Sequence, residues 1–343
     1  MTNATRRRLA VVIPSVRPDR CVELLRRVLP QCEADGADVI VVDDTRDGRV
    51  VDAVTDSYVR VVRGASSGPS CARNLGVSSS HADIIVLLDD DVVVGPDLIS
   101  TIRNRLEQSD ALIAIDVAIY SGQQATDGSW RWRRVERTVP GGFLSACLAF
   151  PREAFDRIGG FEESWPVPNR EDTDFGLRLA GHVSWQFESK HVLTHPDERI
   201  GLHSLLRLAS FARIEPRFLA RHGMAGNVRS VGIGPLRIRG IRIWLPPVMT
   251  VVVVGSIIAR RPRFALAVST AAGMAQSASH SQYLGFASRR DLARSLLPSR
   301  WVPWSLSMLV GGVSFLRGVP AGFTEARRVR RESKQPGCAT GRT

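Results

Sequence analysis

A run of three aspartates, Asp89-Asp90-Asp91, closes the apolar segment 83–91 and is the feature of this sequence most suggestive of chemistry. Adjacent carboxylates repel one another, so the run is costly unless a cation or hydrogen-bond donors compensate for its charge. At Asp-x-Asp spacing, Asp89 and Asp91 can face the same way and share one divalent ion with a diphosphate. Their hard oxygen ligands favour Mg²⁺ or Mn²⁺ over zinc. A solvated acidic turn, with Asp91 capping a helix, is the alternative interpretation.

A second acidic pair, Asp43-Asp44, closes another apolar segment, 38–44. A carboxylate in this position can accept hydrogen bonds from ribose hydroxyl or base N–H groups, although it can equally belong to a turn. Pro14 and Ser15 end the first apolar segment of the chain, where their backbone could contact a base or phosphate groups.

A helix is predicted to begin at Gly68-Pro69-Ser70, and a helix N-terminus is a suitable place for an anion. Arg73 lies in its first turns, where the guanidinium could pair with a phosphate or with the aspartate run. Taken alone, this Gly-Pro helix start is a weak signal.

Glu171 and Asp172 begin another predicted helix. A carboxylate within hydrogen-bond reach of a hydroxyl can remove its proton as a bond forms. The alternative is that both acids only interact favourably with the helix dipole.

Trp165, in the preceding loop, could stack on a sugar or anchor the loop. His195 follows a strand-like segment and could be a metal ligand or a structural histidine.

The elements that must position these residues follow from the hydrophobic pattern. Short apolar runs predict strands, and apolar residues at every third or fourth position predict helices. Strands are predicted at 9–14, 38–44, 58–62, 83–91, 111–119 and 141–151, and helices at 19–33, 68–80, 96–107 and 200–222. The alternation indicates a mainly parallel, Rossmann-like α/β sheet, in which ligands bind beyond the carboxyl ends of the strands. Both aspartate clusters fall at such ends.

The excess positive charge is confined to the last third of the chain. Residues 241–343 hold 15 of the 46 Lys and Arg but only three acidic residues, and so carry the whole net charge of +12. Three low-charge stretches lie in this region, at 243–259, 264–288 and 301–316. Each is near or below the roughly 20 residues of a spanning helix or is diluted with Ser, Gln and His, and Pro246-Pro247 should shorten the first to about a dozen helical residues. We expect interfacial or re-entrant helices on an anionic membrane, with soluble core helices as the alternative.

Composition excludes several classes of protein. Hydrophobic residues make up 44% of the chain and charged residues 23%, which excludes disordered, collagen-like and wholly membrane-embedded chains. The five cysteines form no Cys-x-x-Cys pair, so we expect a reducing compartment and neither a disulfide scaffold nor structural zinc. The apolar run 9–13 is too short for a secretory signal.

Six motifs occur together along the first 200 residues: VVIPS, VIVVDD, GPSCARNLG, IIVLLDDDV, GGFLSACLAFPREAFDRIGGFEE and NREDTDFGLRL. Their order and separations resemble the family 2 glycosyltransferases, which have the GT-A fold and use nucleotide-diphosphate sugars. The resemblance covers about residues 8–200 and has two departures. Val16-Arg17 stands where an aromatic-Asn pair is usual, and Thr45-Arg46 where Gly-Ser is usual.

The resemblance implies inverting transfer of a sugar from a nucleotide-diphosphate sugar to a hydroxyl acceptor, which a lipid or a cell-envelope glycan could carry. It implies these roles: nucleoside contacts from Asp43 and Asp44; further nucleotide-sugar contacts from Pro14, Ser15, Arg73 and Asp90; a divalent cation, Mn²⁺ or Mg²⁺, held by Asp89, Asp91 and His195; an acceptor contact from Trp165; and catalysis by Glu171 and Asp172, with Asp172 as the base.

The expected organisation is a catalytic domain at 1–200, an amphipathic Arg/Leu helix and linker at 201–240, and a basic helical extension at 241–343 with a disordered tail after about 325. The expected location is the cytoplasmic face of the cell membrane, or otherwise the cytoplasm. Two alternatives remain at this point. One is a nucleotidyltransferase, although the loop after the first strand is poor in Gly. The other is a non-catalytic basic adaptor for membranes or nucleic acid, with nucleic acid the less expected partner.

Overall fold

A computed structural model of the protein describes residues 6–109, 111–138, 140, 143, 145–165, 167–190, 193–223, 230–233, 236–239, 241–284, 286 and 288–332. The chain divides into two compact units, Met1–Gly122 with Val135–Pro196 and Gln123–Arg134 with Asp197–Thr343. The excursion Gln123–Arg134 therefore belongs to the second unit, although it is flanked in sequence by the first.

The strands within the described ranges are β1 (Leu9–Ser15), β2 (Asp38–Asp43), β3 (Val59–Arg63), β4 (Ile84–Leu88), β5 (Val93–Val94), β6 (Ile113–Val117), β7 (Tyr120–Ser121), β8 (Trp132–Arg133), β9 (Cys147–Pro151), β10 (Ser184–Glu188), β11 (Leu193–His195), β12 (Glu198–Arg199), β13 (Ser230–Ile233) and β14 (Leu236–Arg239). The helices there are α1 (Pro18–Asp35), α2 (Arg49–Ala53), α3 (Pro69–Ser78), α4 (Leu98–Glu107), α5 (Arg152–Ile158), α6 (Glu171–Leu179), α7 (Leu202–Ser210), α8 (Glu215–His222), α9 (Ile241–Ile258), α10 (Pro262–Tyr283), α11 (Arg289–Ser295) and α12 (Pro298–Glu332).

A seven-stranded sheet with the order β10-β6-β9-β4-β1-β2-β3 forms the centre of the first unit. Strands β4, β1, β2 and β3 pair in parallel, as do β10 and β6. Strand β9 is antiparallel to both of its neighbours, β4 and β6. The predicted α/β class with a mainly parallel sheet is confirmed. The strand predicted at 141–151 forms over Cys147–Pro151 only.

Two apolar cores cover the two faces of this sheet. In β1, Leu9, Val11 and Ile13 point into a core shared with α1 and α4. The alternate residues Ala10 and Val12 point into a core shared with α3, α5 and α6. Because both faces of the strand are buried, β1 reads as an uninterrupted apolar run rather than as an alternating pattern.

The strand ends bring polar residues to one edge of the sheet. Ser15, the last residue of β1, is in register with Asp43, the last residue of β2. Strand β4 pairs with β1 on its other side, and the three aspartates begin directly after its last residue, Leu88. The parallel register thus carries residues far apart in sequence to neighbouring positions, as expected for the ligand-binding edge of such a sheet.

The second unit is mainly helical, and α12 packs against α7, α8, α9 and α10. Its buried face is rich in glycine, which allows close helix approach. The excursion is held within this unit by an ion pair of 2.9 Å between Arg134 and Asp197 and by a 3.1 Å hydrogen bond from Trp130 Nε1 to the carbonyl oxygen of Ser299. Trp130 is therefore a buried anchor.

Three sequence-based expectations for this region differ from the structure. The helix expected at 200–222 is divided into α7, a 3₁₀ turn at Phe211–Ile214, and α8. Helix α9 contains Pro246 and Pro247 and is not shortened by them. Helix α12 continues to Glu332, so the tail expected to be disordered after about 325 is helical to that point, and 333–343 lie outside the described residues.

Large apolar side chains are exposed on the second unit. Along α12, they recur on one stripe formed by Val302, Leu306, Val313, Leu316 and Phe323. By length and composition, α12 is the one helix in the described part of the chain that could cross a membrane; 33% of its most apolar window is buried, and the mean hydropathy of that window is 1.3.

The close packing of α12 predicts opposite effects of the same substitution at two glycines. A methyl group on Gly318 would overlap the carbonyl oxygen of Arg213, whereas one on Gly255 of α9 would meet nothing within 4 Å. We expect Gly318→Ala to destabilise the protein by about 1–3 kcal/mol, and Gly255→Ala to be neutral or stabilising by up to about 1 kcal/mol.

Thermal and denaturant unfolding of the full chain would measure both effects. Equal effects of the two substitutions would contradict the packing of α12 described here.

Candidate active site

Asp90 lies in the loop after β4 and is tied to the end of β1. Its Oδ2 atom accepts a hydrogen bond from Ser15 Oγ at 2.7 Å, and its Oδ1 atom accepts one from Arg17 Nη2 at 3.0 Å. Burial raises the pKa of Asp90, and the bonds from Ser15 and Arg17 act in the opposite direction. Asp90 and Ser15, both predicted to contact the nucleotide sugar, therefore also fasten the aspartate loop to the sheet. Pro14, next to Ser15, is half-buried.

Asp91 is half-buried and faces three basic side chains. Its Oδ2 atom lies 3.1 Å from Arg17 Nη2, 3.6 Å from His195 Nε2 and 3.8 Å from Arg20 Nη1. Burial raises the pKa of Asp91, but His195 and Arg17 outweigh that effect and hold the pKa well below its usual range. The carboxylate is therefore ionised at neutral pH.

His195 is buried, and the backbone orients its ring. Its Nδ1 atom lies 2.7 Å from the carbonyl oxygen of Pro196, which can only accept, so Nδ1 carries a proton. In the neutral ring, the lone pair of Nε2 is then directed at Oδ2 of Asp91. Such an orienting bond is typical of histidines that ligate metals.

Asp91 and His195 bring two potential cation ligands together, whereas Asp89, the third predicted ligand, pairs with Arg73. Nε2 of His195 and Oδ2 of Asp91 lie 3.6 Å apart. A divalent cation could bridge these two atoms when no proton lies between them. Carboxylate oxygens with one imidazole nitrogen suit Mn²⁺ or Mg²⁺.

Arg73 joins the aspartate loop to the start of α6. Its Nη2 atom lies 2.8 Å from Asp89 Oδ1, and its Nη1 atom lies 3.4 Å from Glu171 Oε1. The guanidinium is buried and also lies over the ring of Phe161, at 5.5 Å from its centroid. Burial would lower the pKa of Arg73, but Asp89 and Glu171 reverse the effect and raise it. Arg73 is therefore a charged bridge between two acidic groups that are 82 residues apart.

Glu171 and Asp172 occupy the first turn of α6, which follows Arg170 in the left-handed region at φ 73°. Burial raises the pKa of Glu171 to about 7, and the charge of Asp172 adds to the shift. Burial also raises the pKa of Asp172. Oε2 of Glu171 is buried with no hydrogen-bond partner among the described residues. The two carboxyl groups therefore have the environment of acid–base catalysts.

Asp43 is more deeply buried than its predicted role requires. Its carboxylate has no exposed surface and accepts hydrogen bonds from the backbone N–H groups of Thr45 and Val51, the hydroxyl of Thr45 and the guanidinium of Arg63. Burial raises the pKa of Asp43, but these bonds outweigh it and lower the pKa. Direct contact with a nucleoside would require this network to open, so the structure argues against that role for Asp43.

Asp44 and Trp165 are also buried. Asp44 accepts hydrogen bonds from the backbone N–H groups of Ser67 and Gly68, at 3.2 and 2.9 Å, and so shapes the loop before α3. Contact between Asp44 and a nucleoside remains a prediction. Trp165 is only 8% exposed, which favours the role of a loop anchor over stacking on an acceptor.

Arg17 is the site residue that the sequence did not indicate. Its pairing with Asp90 and Asp91 joins residues more than 70 positions apart, so local spacing carries no signal for it. The one available hint was the departure at Val16-Arg17, where the position usually held by Asn carries a cation instead.

The chain is similar in sequence to known glycosyltransferases. Residues 11–178, just under half of the chain, match the family model for glycosyl transferase family 2. The chain is 31% identical over 191 residues to an uncharacterized glycosyltransferase of Haemophilus influenzae, covering 52% of this chain and 63% of the relative. It is 27% identical over 129 residues to glycosyltransferase GlyG of Streptococcus pneumoniae, covering 36% and 42%. These matches thus span between two fifths and two thirds of the relatives' lengths.

A solved structure shares the fold. The mannosyltransferase PcManGT of Pyrobaculum calidifontis, solved in complex with GDP-Man and Mn²⁺, aligns with a TM-score of 0.53 and 19% sequence identity. The alignment covers 91% of this chain and 88% of that structure.

The raised pKa of Glu171 predicts a pH-dependent effect of Glu171→Gln. A carboxyl group with a pKa of about 7 in the folded protein and a usual value when unfolded destabilises the fold as pH rises from about 4.5 to 7. Relative to the wild type, the variant should therefore gain stability between pH 5 and 8, by roughly 2–4 kcal/mol.

Denaturant unfolding in metal-free buffer at both pH values would measure the difference. Glu153→Gln, at an exposed glutamate, is the matched control and should show no such gain. Parallel stability curves for wild type and Glu171→Gln would show that the environment of Glu171 is not as described.

Proposed function

Because residues 11–178 match the family model for glycosyl transferase family 2, we propose that this protein transfers a glycosyl residue from a nucleotide-diphosphate sugar to a hydroxyl group, with inversion at the anomeric carbon. One observation carries the proposal. Arg73 joins the aspartate loop to the Glu171-Asp172 pair, so cation ligands and a potential base are held around one buried charge.

Asp172 is the proposed base. Its Oδ1 atom accepts a 2.7 Å hydrogen bond from the backbone N–H of Thr173, which fixes the carboxylate at the start of α6. As the acceptor oxygen bonds to the anomeric carbon, the bond from that carbon to the diphosphate breaks and its electron pair leaves with the diphosphate. The hydroxyl proton passes to Asp172. Glu171, with its raised pKa, tunes the base through its charge.

Asp89, Asp91 and His195 would hold Mn²⁺ or Mg²⁺. When bound there, the ion offsets the negative charge that develops on the leaving diphosphate. Arg73 and Arg17 supply positive charge to the neighbouring acids.

The second unit supports a location at the cytoplasmic face of a membrane. The turn between α9 and α10 is exposed from Ile257 to Phe264 and contains Arg260, Arg261 and Arg263 beside large apolar side chains. Apolar groups that enter the headgroup region together with arginines that attract anionic lipid are the usual elements of an interfacial anchor. An acceptor carried by a lipid would be concentrated at such a surface.

Neither alternative is favoured over glycosyl transfer. A nucleotidyltransferase has no support from the family match, and the ionised Asp91, with a ring nitrogen of His195 at 3.6 Å, argues against a degenerate adaptor domain.

Substitution of the proposed base should abolish turnover without abolishing donor binding. We expect Asp172→Asn to lower the rate of sugar-dependent nucleoside diphosphate release by about 10²–10⁴-fold. A panel of uridine, guanosine and thymidine diphosphate sugars with Mn²⁺ or Mg²⁺ would first identify the donor.

Donor affinity, measured by calorimetry, should change little in that variant. Asp156→Asn, at an exposed aspartate of α5, is the control and should keep wild-type turnover. Retained turnover in Asp172→Asn would eliminate the residue as the base.

Membrane binding should depend on the α9–α10 turn. Burying a large apolar side chain is worth roughly 1.5–3 kcal/mol, so the double variant Ile258→Ser/Phe264→Ser should bind anionic vesicles at least about tenfold more weakly. Flotation with phosphatidylserine-containing and neutral vesicles would measure this effect, and binding of the wild type should fall with salt.

The control carries serine at Leu112 and Val51, two exposed apolar residues of the first unit. Equal losses in the two double variants, or equal flotation on neutral vesicles, would contradict the proposed anchor.

A further inference from the structure

Arg17 holds Asp90 and the proposed cation ligand Asp91 through one nitrogen atom. Its Nη2 atom donates to Asp90 Oδ1 at 3.0 Å and to Asp91 Oδ2 at 3.1 Å. The second of these oxygens is the one that faces His195. Arg17 therefore contacts the same atom of Asp91 that a divalent cation would share with the histidine.

The acidic groups at this edge of the sheet are already compensated in part by arginines. Arg73 pairs with Asp89 and Glu171, while Arg17 pairs with Asp90 and Asp91. A divalent cation that approaches Asp91 therefore also approaches the positively charged guanidinium of Arg17. Two cations at the same carboxylate oxygen repel each other, so binding of the ion must weaken the contact with Arg17.

The backbone around Arg17 is fixed, whereas its side chain has an unused donor. Ser15 Oγ accepts a 3.1 Å hydrogen bond from the backbone N–H of Arg17, at the start of α1. The Nε atom of the guanidinium is buried and has no acceptor among the described residues. A buried N–H without an acceptor is costly, and an incoming anionic oxygen would remove that cost.

We propose that Arg17 is an exchangeable counter-ion of the cation site. Without a divalent ion, its guanidinium neutralises Asp90 and Asp91; with the ion bound, Arg17 releases Asp91 and donates to the diphosphate of the donor. This inference rests on the proposed function. It assigns to Arg17 two opposed effects, competition with the metal ion and attraction of the nucleotide.

The opposed effects give a test that does not depend on turnover. In the full-length protein without nucleotide, Arg17→Gln should bind Mn²⁺ about three- to tenfold more tightly, because the competing charge is gone. With Mn²⁺ saturating, the same variant should bind UDP or GDP about tenfold more weakly, the size expected for one charge-assisted hydrogen bond. Titration calorimetry and the Mn²⁺ electron paramagnetic resonance signal would measure both affinities.

Two further variants define the result. Arg26→Gln replaces an exposed arginine on the same helix, which pairs only with Glu23 among its described contacts, and should leave both affinities unchanged. Arg17→Lys keeps the charge without the planar fork, so its Mn²⁺ affinity should return toward the wild-type value.

Unchanged Mn²⁺ affinity in Arg17→Gln, or a parallel weakening of Mn²⁺ and nucleotide binding, would overturn the exchange and make Arg17 a structural part of the site. Failure of the wild type to bind any nucleoside diphosphate in the presence of Mn²⁺ would instead contradict the proposed function.

Discussion

The structure of the first unit depends on keeping five carboxylates together in a partly dehydrated place. Asp89, Asp90, Asp91, Glu171 and Asp172 would repel one another if they were gathered without compensation. The compensation comes from two guanidinium groups, one rooted at the end of β1 and one in α3, each of which holds two acids. Because the desolvated acids and the arginines need each other, the positions of β1, β4, α3 and α6 are linked through charge as well as through apolar packing.

This arrangement separates two kinds of acid. Asp90 and Asp43 accept hydrogen bonds that fix the loops after β4 and β2. The pKa of Asp91 lies below its usual range, whereas the pKa values of Glu171 and Asp172 lie above theirs. The neighbouring groups thus keep Asp91 ionised and make Glu171 and Asp172 easier to protonate. In this way, chemically similar carboxyl groups can take different roles in one site.

The sequence was sufficient to predict the parallel part of the sheet and the positions of its acidic ends, because strands buried on both faces are long apolar runs. It was not sufficient to predict what each acid would contact. Asp43 and Asp44 look alike in sequence and both are buried, but only Asp43 is enclosed by Thr45 and Arg63. The ion pairs of Arg17 with Asp90 and Asp91 could not be predicted either, because they arise from the register of β1 and β4 and not from a local sequence pattern. In the second unit, Pro246 and Pro247 lie inside α9, and the helix continues past them to Ile258, although a proline usually ends or kinks a helix.

The excursion Gln123–Arg134 has a consequence for protein engineering. The chain passes between the two units three times, at 122–123, 134–135 and 196–197, so no single cut can separate them. A fragment ending at Pro196 would retain Trp130 without the Ser299 carbonyl and Arg134 without the Asp197 carboxylate, so the excursion would lose two contacts that hold it. A chimera that exchanges the helical part with that of another protein would have to carry these twelve residues across as part of the graft.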